Sequence, residues 1–385
     1  MVPEAQRLAE PLRATMGVEM KLTRRAALGG IAGGLAMPFV KPSYAQAGSV
    51  NIFSWAEYIG ETTLADFEAA TGIKPVYDTY STYEEGEAKL LTGHTGYDVV
   101  DVAGRSMPML LAAGVFDPLD RNLLPLWSNL DPELLKILEP WDPGLKHSAP
   151  YMWGSVGFSF NADMVKKRIP DADFEDLGLI FKPENAALLA ECGLSIHDSP
   201  RDIVPMLLKY LGEDPDTTDV TKYQMVVDLF KPIREHITAF DNEQYLTLLP
   251  NEQVCAANTW SGDYAVAKAR AAEAGIDLNL VYAVPKTGAP LWFDVMCIPK
   301  DAPNKANAHA FLSFLMQPEV IAACTNFVGY ANANKAASAF VDPAVLADPA
   351  IYPDAETISR LWAPKALTPE QERELTRIFQ DIKSG

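Results

Sequence analysis

VNIFSWAEYIGETTLADFEAATGIKPVYDTYSTYEEGEAKLLTGHTGYDVVDV, residues 50–102, is the stretch that decides the fold. Val50–Ser54 is a short apolar run and reads as a strand. Gly60–Thr71 places Leu64, Phe67 and Ala70 on one helical face and ends at Gly72, a residue suited to a helix C-terminus. Lys74–Tyr77 is the next strand, Tyr83–Leu91 the next helix and Tyr97–Val102 a third strand. Met107–Ala113 follows as a helix closed by Gly114. Repeated strand–helix units of this length predict an α/β architecture, with a parallel sheet and helices on both faces.

Downstream the pattern changes. Pro150–Asn161 is extended, aromatic and glycine-containing, a natural crossover between domains. Asp202–Leu211 carries Ile203, Met206, Leu207 and Tyr210 at helical spacing. Val254–Asn258 reads as a buried strand and Gly262–Gly275 as a helix. Leu278–Val284 and Leu291–Ile298 read as strands, and Lys305–Met316 as an amphipathic helix. No internal repeat or low-complexity tract interrupts the chain, and no linker separates independent modules. The chain is expected to pass between two lobes more than once.

The first 47 residues read as a segment apart. Arg24-Arg25 precedes a mildly apolar Gly/Ala-rich run from Ala26 to Val40, and Ala45-Gln46-Ala47 offers a signal-peptidase site. The paired arginines resemble a twin-arginine export signal, so a periplasmic location is expected. The run is too short and too weakly apolar to anchor in a bilayer, and no later segment is expected to span one. The chain of 385 residues carries a formal charge of −19, which becomes −22 without the six basic and three acidic side chains of this segment. That field disfavours nucleic acid and anionic membrane and favours cationic partners. The 338 residues that remain exceed the size at which one core keeps growing, so two domains are expected. Four cysteines in an oxidising compartment allow three complete pairings, among which spacing does not choose.

Three stretches set a tryptophan two or three residues before an acid: Trp55-Ala56-Glu57-Tyr58, Trp260-Ser261-Gly262-Asp263 and Trp292-Phe293-Asp294. An aromatic face beside a carboxylate is a receptor for organic cations, because the ring quadrupole attracts ammonium and the carboxylate supplies the charge. Each residue also has a plainer reading. Asp263 opens a helix and could be its N-cap or a first-turn acid, and Asp202 could be stabilised by a helix dipole. Trp292 could be core. On the strand Leu291–Ile298, however, Trp292 and Asp294 are two apart and share a face, and a buried acid among apolar neighbours needs a partner.

Several runs carry a resemblance to a known family. Asn51-Ile52-Phe53-Ser54-Trp55-Ala56-Glu57-Tyr58-Ile59, Ala113-Gly114-Val115-Phe116-Asp117-Pro118-Leu119-Asp120 and Asn129-Leu130-Asp131-Pro132-Glu133-Leu134-Leu135 are three of them. Pro150-Tyr151-Met152-Trp153-Gly154 and Gly329-Tyr330-Ala331-Asn332-Ala333-Asn334-Lys335-Ala336-Ala337 complete the set. The chain resembles the periplasmic putrescine- and spermidine-binding proteins of polyamine ABC transporters, the putrescine-binding branch most of all. The resemblance implies a two-lobe solute-binding fold of type II with the ligand in the interlobe cleft. Lobe one is then residues 48–153 and 291–328, and lobe two residues 154–290 and 329–385.

By position, the resemblance implies a cleft of Trp55, Glu57, Tyr58, Asp202, Trp260, Asp263, Trp292, Asp294 and Tyr330. The aromatic rings bracket the methylene chain, and the acids receive the ammonium groups. It also implies a Cys192–Cys255 disulfide, leaving Cys297 and Cys324 as buried thiols. The implied partners are a polyamine ligand and an inner-membrane ABC permease, for a monomer without cofactor or metal. The chain departs from the pattern in places. Ala56 and Ala103 stand where putrescine-binding relatives have serine, and Asp202 is shorter than their usual glutamate. Glu57 and Trp292 tilt toward the spermidine-preferring branch. Arg105 stands where relatives have a small residue or tyrosine. It is expected to face solvent or to pair with Glu57; the alternative is that it meets an acylated polyamine or an amino-carboxylate ligand.

Other functions lack a signature. A secreted hydrolase could use paired acids such as Asp263 and Asp294, but no nucleophile elbow, P-loop or histidine-based metal spacing occurs. An iron carrier would need several tyrosine or histidine ligands, and an anion carrier basic groups and helix N-termini. The expectation is a binding protein, not an enzyme.

Overall fold

A computed structural model describes residues 48–385 apart from Glu57. The signal reading of residues 1–47 and the binding role of Glu57 therefore lie outside the described residues. The strands, in chain order, are β1 (Gly48–Trp55), β2 (Ile73–Tyr80), β3 (Val99–Ala103), β4 (Ser148–Asn161), β5 (Leu194–Ile196) and β6 (Ala239–Phe240). They continue with β7 (Ala256–Trp260), β8 (Leu280–Ala283), β9 (Ala289–Cys297), β10 (Ala331–Asn332) and β11 (Leu361–Trp362).

The opening strand–helix alternation forms as its residues dictate. The helix Thr63–Thr71 ends at Gly72, whose φ of 74° is left-handed and whose N–H donates to the Glu68 carbonyl. The helix Tyr83–Leu91 starts at Thr82, whose hydroxyl accepts from the Glu85 N–H. β1 then pairs in parallel with β2, from Gly48 opposite Ile73 to Trp55 opposite Tyr80, and in parallel with β3.

The parallel pairing expected from this alternation forms among β1, β2 and β3, and the strands that come next join it antiparallel. β9 runs antiparallel to β3, with Ala103 opposite Asp294 and Val100 opposite Cys297, and β4 runs antiparallel to β9. The sheet order is β2-β1-β3-β9-β4-β7-β5-β6. β9 arrives from a long excursion rather than through one crossover helix, so the rule that makes βαβ neighbours parallel does not bind it.

β4 holds the arrangement together. All 14 of its residues are buried. Its first part, Ser148–Ser155, pairs with β9, and its second part, Val156–Asn161, pairs with β7 and β8. Two hydrophobic cores flank it. One gathers Val50, Phe67, Val99, Phe293 and Phe311. The other gathers Phe158, Leu194, Ile203, Phe230 and Phe379. The Cys192–Cys255 disulfide lies in the second core, where it joins the residues just before the paired strands β5 and β7, with Cα atoms 5.4 Å apart. Cys297 and Cys324 are free and buried. Among the described residues, no single helix is long and apolar enough to cross a membrane.

Candidate functional site

Seven of the ten residues singled out in the sequence line one cavity of about 460 Å³: Trp55, Tyr58, Trp260, Asp263, Trp292, Asp294 and Tyr330. They come from β1 and the residues after it, the β7–helix junction, β9 and the segment before β10. Glu57 lies outside the described residues. Arg105 and Asp202 do not line this cavity; they are paired with each other beside it.

At one end, Asp263 sits in the first turn of the helix Ser261–Glu273. That helix has no side-chain cap, so Asp263 is not used as one. Its carboxylate accepts from the Tyr330 hydroxyl at 2.5 Å on one oxygen and from the Tyr245 hydroxyl on the other. Gly262 makes this possible, because a Cβ there would stand 2.4 Å from the Tyr330 ring. Burial pushes the Asp263 carboxyl up to about 6, while the two tyrosine hydroxyls and Arg270 act to lower it. Trp260 packs at a tilt against buried His197 with centroids 4.3 Å apart, and burial holds that imidazole down at about 4, so it is neutral at pH 7.

The middle of the site is β9. Trp292 and Asp294 share a face, as their spacing requires, and both are largely buried. Trp292 donates its indole N–H to the Ser155 carbonyl at 3.3 Å and meets Tyr330 edge-on, with centroids 5.0 Å apart. Gly154 admits the indole: a Cβ there would lie 2.5 Å from a ring carbon. Trp292 therefore both packs and faces the cavity. Burial pushes the Asp294 carboxyl up to about 7, with the Tyr58 hydroxyl and the Arg105 guanidinium opposing and Asp202 reinforcing the shift.

A second acid that the sequence reading passed over lies beneath Asp294. Asp101 is fully buried on β3, diagonal to Asp294 across the β3–β9 pairing. One of its oxygens accepts from Ser54 Oγ at 2.9 Å, and the other has no hydrogen-bond partner. Burial and the Asp294 charge push this carboxyl well above the usual range, against the Ser54 hydrogen bond. The signal was an acid set in the otherwise apolar run Val99-Val100-Asp101-Val102-Ala103.

The remaining wall is aromatic. Trp55 packs on Tyr80 at 4.4 Å and edge-on to Tyr83 at 5.1 Å, and both tyrosines line the cavity. Behind Tyr83 the expectation of a solvent-facing Arg105 is overturned, while a pairing with Glu57 lies outside the described residues. Arg105, in the single helical turn Gly104–Ser106, is 9% exposed and pairs with Asp202 at 3.0 Å. Its Nη1 also donates to the Arg201 carbonyl at 3.1 Å, and its guanidinium lies 4.5 Å from the Tyr83 ring centroid. A guanidinium is tolerated at this depth because a carboxylate and a ring face meet it. Asp202 lies in the first turn of the helix Pro200–Tyr210, so the dipole reading fits its position, but its direct partners are Arg105 and the Ser199 hydroxyl.

The arrangement is an aromatic-walled cavity holding two carboxylates with raised proton affinity. That chemistry suits an organic cation with a methylene chain.

Comparison with known proteins agrees. Residues 62–353 match the family model described as bacterial extracellular solute-binding protein. The putrescine-binding periplasmic protein SpuD of Pseudomonas aeruginosa is 42% identical over 337 residues, which is 87% of this chain and 92% of that protein. The putrescine-binding periplasmic protein PotF of Escherichia coli is 40% identical over 366 residues, 94% of this chain and 99% of that protein. Among solved structures, the spermidine/putrescine ABC transporter substrate-binding protein PotD of Streptococcus pneumoniae superposes with a TM-score of 0.74 at 27% identity, covering 88% of this chain and 99% of that one. The chain belongs to the family of bacterial extracellular solute-binding proteins.

Proposed function

We propose that this protein captures a polyamine in the periplasm and delivers it to an inner-membrane ABC permease. The observation that carries the reading is the pair Asp263 and Asp294, enclosed with Trp260, Trp292, Tyr58 and Tyr330 around one cavity. Two carboxylates separated by ring faces match two ammonium groups joined by methylenes, and each ring contact contributes about 0.5–2 kcal/mol. The names of SpuD and PotF support a diamine of the putrescine class. The family is one of binding proteins, so the hydrolase alternative is set aside.

In this reading the protein is a monomer of two lobes, residues 48–153 with 291–328 and residues 154–290 with 329–385. They close on the ligand, and closure strengthens each charge contact by excluding water. The two hydrophobic cores support such a division, although Ala331, Ala333 and Ala337 pack with the first of them. Export by a twin-arginine-type signal in residues 1–47 completes the proposal. A reporter fused to that segment should lose export when Arg24 and Arg25 become lysine.

Calorimetry with putrescine, spermidine, agmatine and a mono-acylated diamine tests the central reading. Tight binding of at least one is expected. Binding of a neutral or anionic solute, with none of these amines bound, would sink it.

A further inference from the structure

Two ends of the cavity differ in what stands behind the aromatic wall. At the Asp263 end, two tyrosine hydroxyls donate to the carboxylate, and Arg270, which also lines the cavity, acts on it through its charge. At the Tyr83 end stands an ion pair made by the protein itself. Asp202 is 1% exposed and uses one oxygen for Arg105 at 3.0 Å and the other for Ser199 Oγ at 2.8 Å. The neighbouring guanidinium, Arg201, is matched in the same way: it meets Glu87 through both nitrogens at 2.7 and 3.1 Å and Glu372 at 3.0 Å. Among the described residues, Asp202, Glu87 and Glu372 beyond Tyr83 thus each already have a cation of the chain. Glu243 also lines the cavity, but it is exposed, where water screens its charge. Among the described residues, the enclosed carboxylates facing the ligand space are two, Asp263 and Asp294.

We propose that Arg105 stands in for a ligand ammonium. By occupying Asp202 it removes the partner that a third positive charge would need, which makes the site selective for a short diamine over a linear triamine. The inference rests on the amine reading above. A third ammonium directed at Tyr83 would leave water without gaining a carboxylate, and a nearby guanidinium would add like-charge repulsion. Arg105 acts through Asp202 and is therefore a positioning residue whose signature is a ratio of affinities.

The experiment is calorimetry with putrescine and spermidine on wild-type protein and three variants. Wild type should bind putrescine at least about tenfold more tightly than spermidine. Arg105→Ser frees Asp202, so spermidine should tighten by at least about tenfold while putrescine stays within about threefold, which also reports an intact site. Arg105→Lys keeps the charge and should keep the wild-type ratio. Arg105→Ser with Asp202→Ser removes both charges and should also keep it; this variant leaves no buried unpaired acid and guards against a single variant that does not fold. A wild type that binds spermidine as tightly as putrescine overturns the inference, and so does a folded Arg105→Ser protein with an unchanged ratio. Failure of wild type to bind either amine is a different result and removes the amine reading itself.

Discussion

Asp263 and Asp202 are both aspartates in the first turn of a helix, the first half-buried and the second buried, beside rings that line one cavity, yet the fold gives them different partners. Asp263 receives two tyrosine hydroxyls, from Tyr330 and Tyr245. Asp202 receives a guanidinium. Hydroxyl donors fix the direction of a carboxylate and keep its charge, whereas a guanidinium in direct contact fixes it and cancels the charge; Arg270 acts on Asp263 through its charge. The comparison teaches that counting acids near a cleft overstates the charge on offer.

The harshest way to break this contrast is to remove a carboxylate that is available. Asp294→Asn should weaken putrescine binding by about 2–5 kcal/mol, because one ammonium is then buried without its partner. Calorimetry reads this directly, and wild-type affinity in the variant would take Asp294 out of the site. Acidification is the next largest effect. A cation binds the ionised carboxylate, and Asp294 and Asp263 are pushed up to about 7 and about 6. Affinity should level off toward pH 8 and fall as the pH drops through 7, approaching about tenfold per pH unit for each acid once the pH is under its pKa, since one unit is about 1.4 kcal/mol. Measuring Kd from pH 5 to pH 8 checks the sign, and a flat profile would contradict it.

Tyr330→Phe sharpens the comparison at the other end. It removes one of the two donors on Asp263 but keeps the ring, so a loss of about 1 kcal/mol in binding is expected, with little change in thermal stability. Asp101→Asn should have the smallest effect on binding. An acid whose pKa is higher in the folded protein than in the unfolded chain lowers stability at every pH above the unfolded value, and Asp101 is pushed well up. Neutralising it should raise Tm at pH 7 by about 1–2 °C, the shift that about 1 kcal/mol gives in a chain of this size. A lowered Tm would mean that the Asp101 charge is used.

The legible parts were those encoded locally. Helix stops such as Gly72 follow from glycine chemistry, and the shared face of Trp292 and Asp294 follows from strand periodicity. The resemblance brought the three aromatic–acid stretches to one cleft, and seven residues do meet there. What the sequence hid was partnership at long range. Arg105 and Asp202 are 97 positions apart, and no period or spacing joins them. Tyr83 read as the first residue of a helix, while its ring is used against Trp55 and Arg105. Tyr245 lies in a four-residue helix with no pattern to mark it. The antiparallel entry of β9 was hidden for the same reason, since strand direction within a sheet is decided by the path of the intervening chain. The tilt toward a longer polyamine came from Glu57 and Trp292 through their likeness to the spermidine-preferring branch. The Arg105–Asp202 pair concerns the number of charges, and the two pull in opposite directions.

β4 has a consequence for how the molecule comes apart. Its first half is stitched to β9 and its second half to β7 and β8, with no exposed residue between. Melting either core would strip an unbroken strand of half its hydrogen bonds and leave an apolar edge in water beside the surviving half. Partial unfolding is therefore penalised from both sides, and calorimetric melting of the ligand-free protein should be a single transition whose van't Hoff and calorimetric enthalpies agree. Two resolved transitions would mean that the shared strand couples its neighbours only weakly.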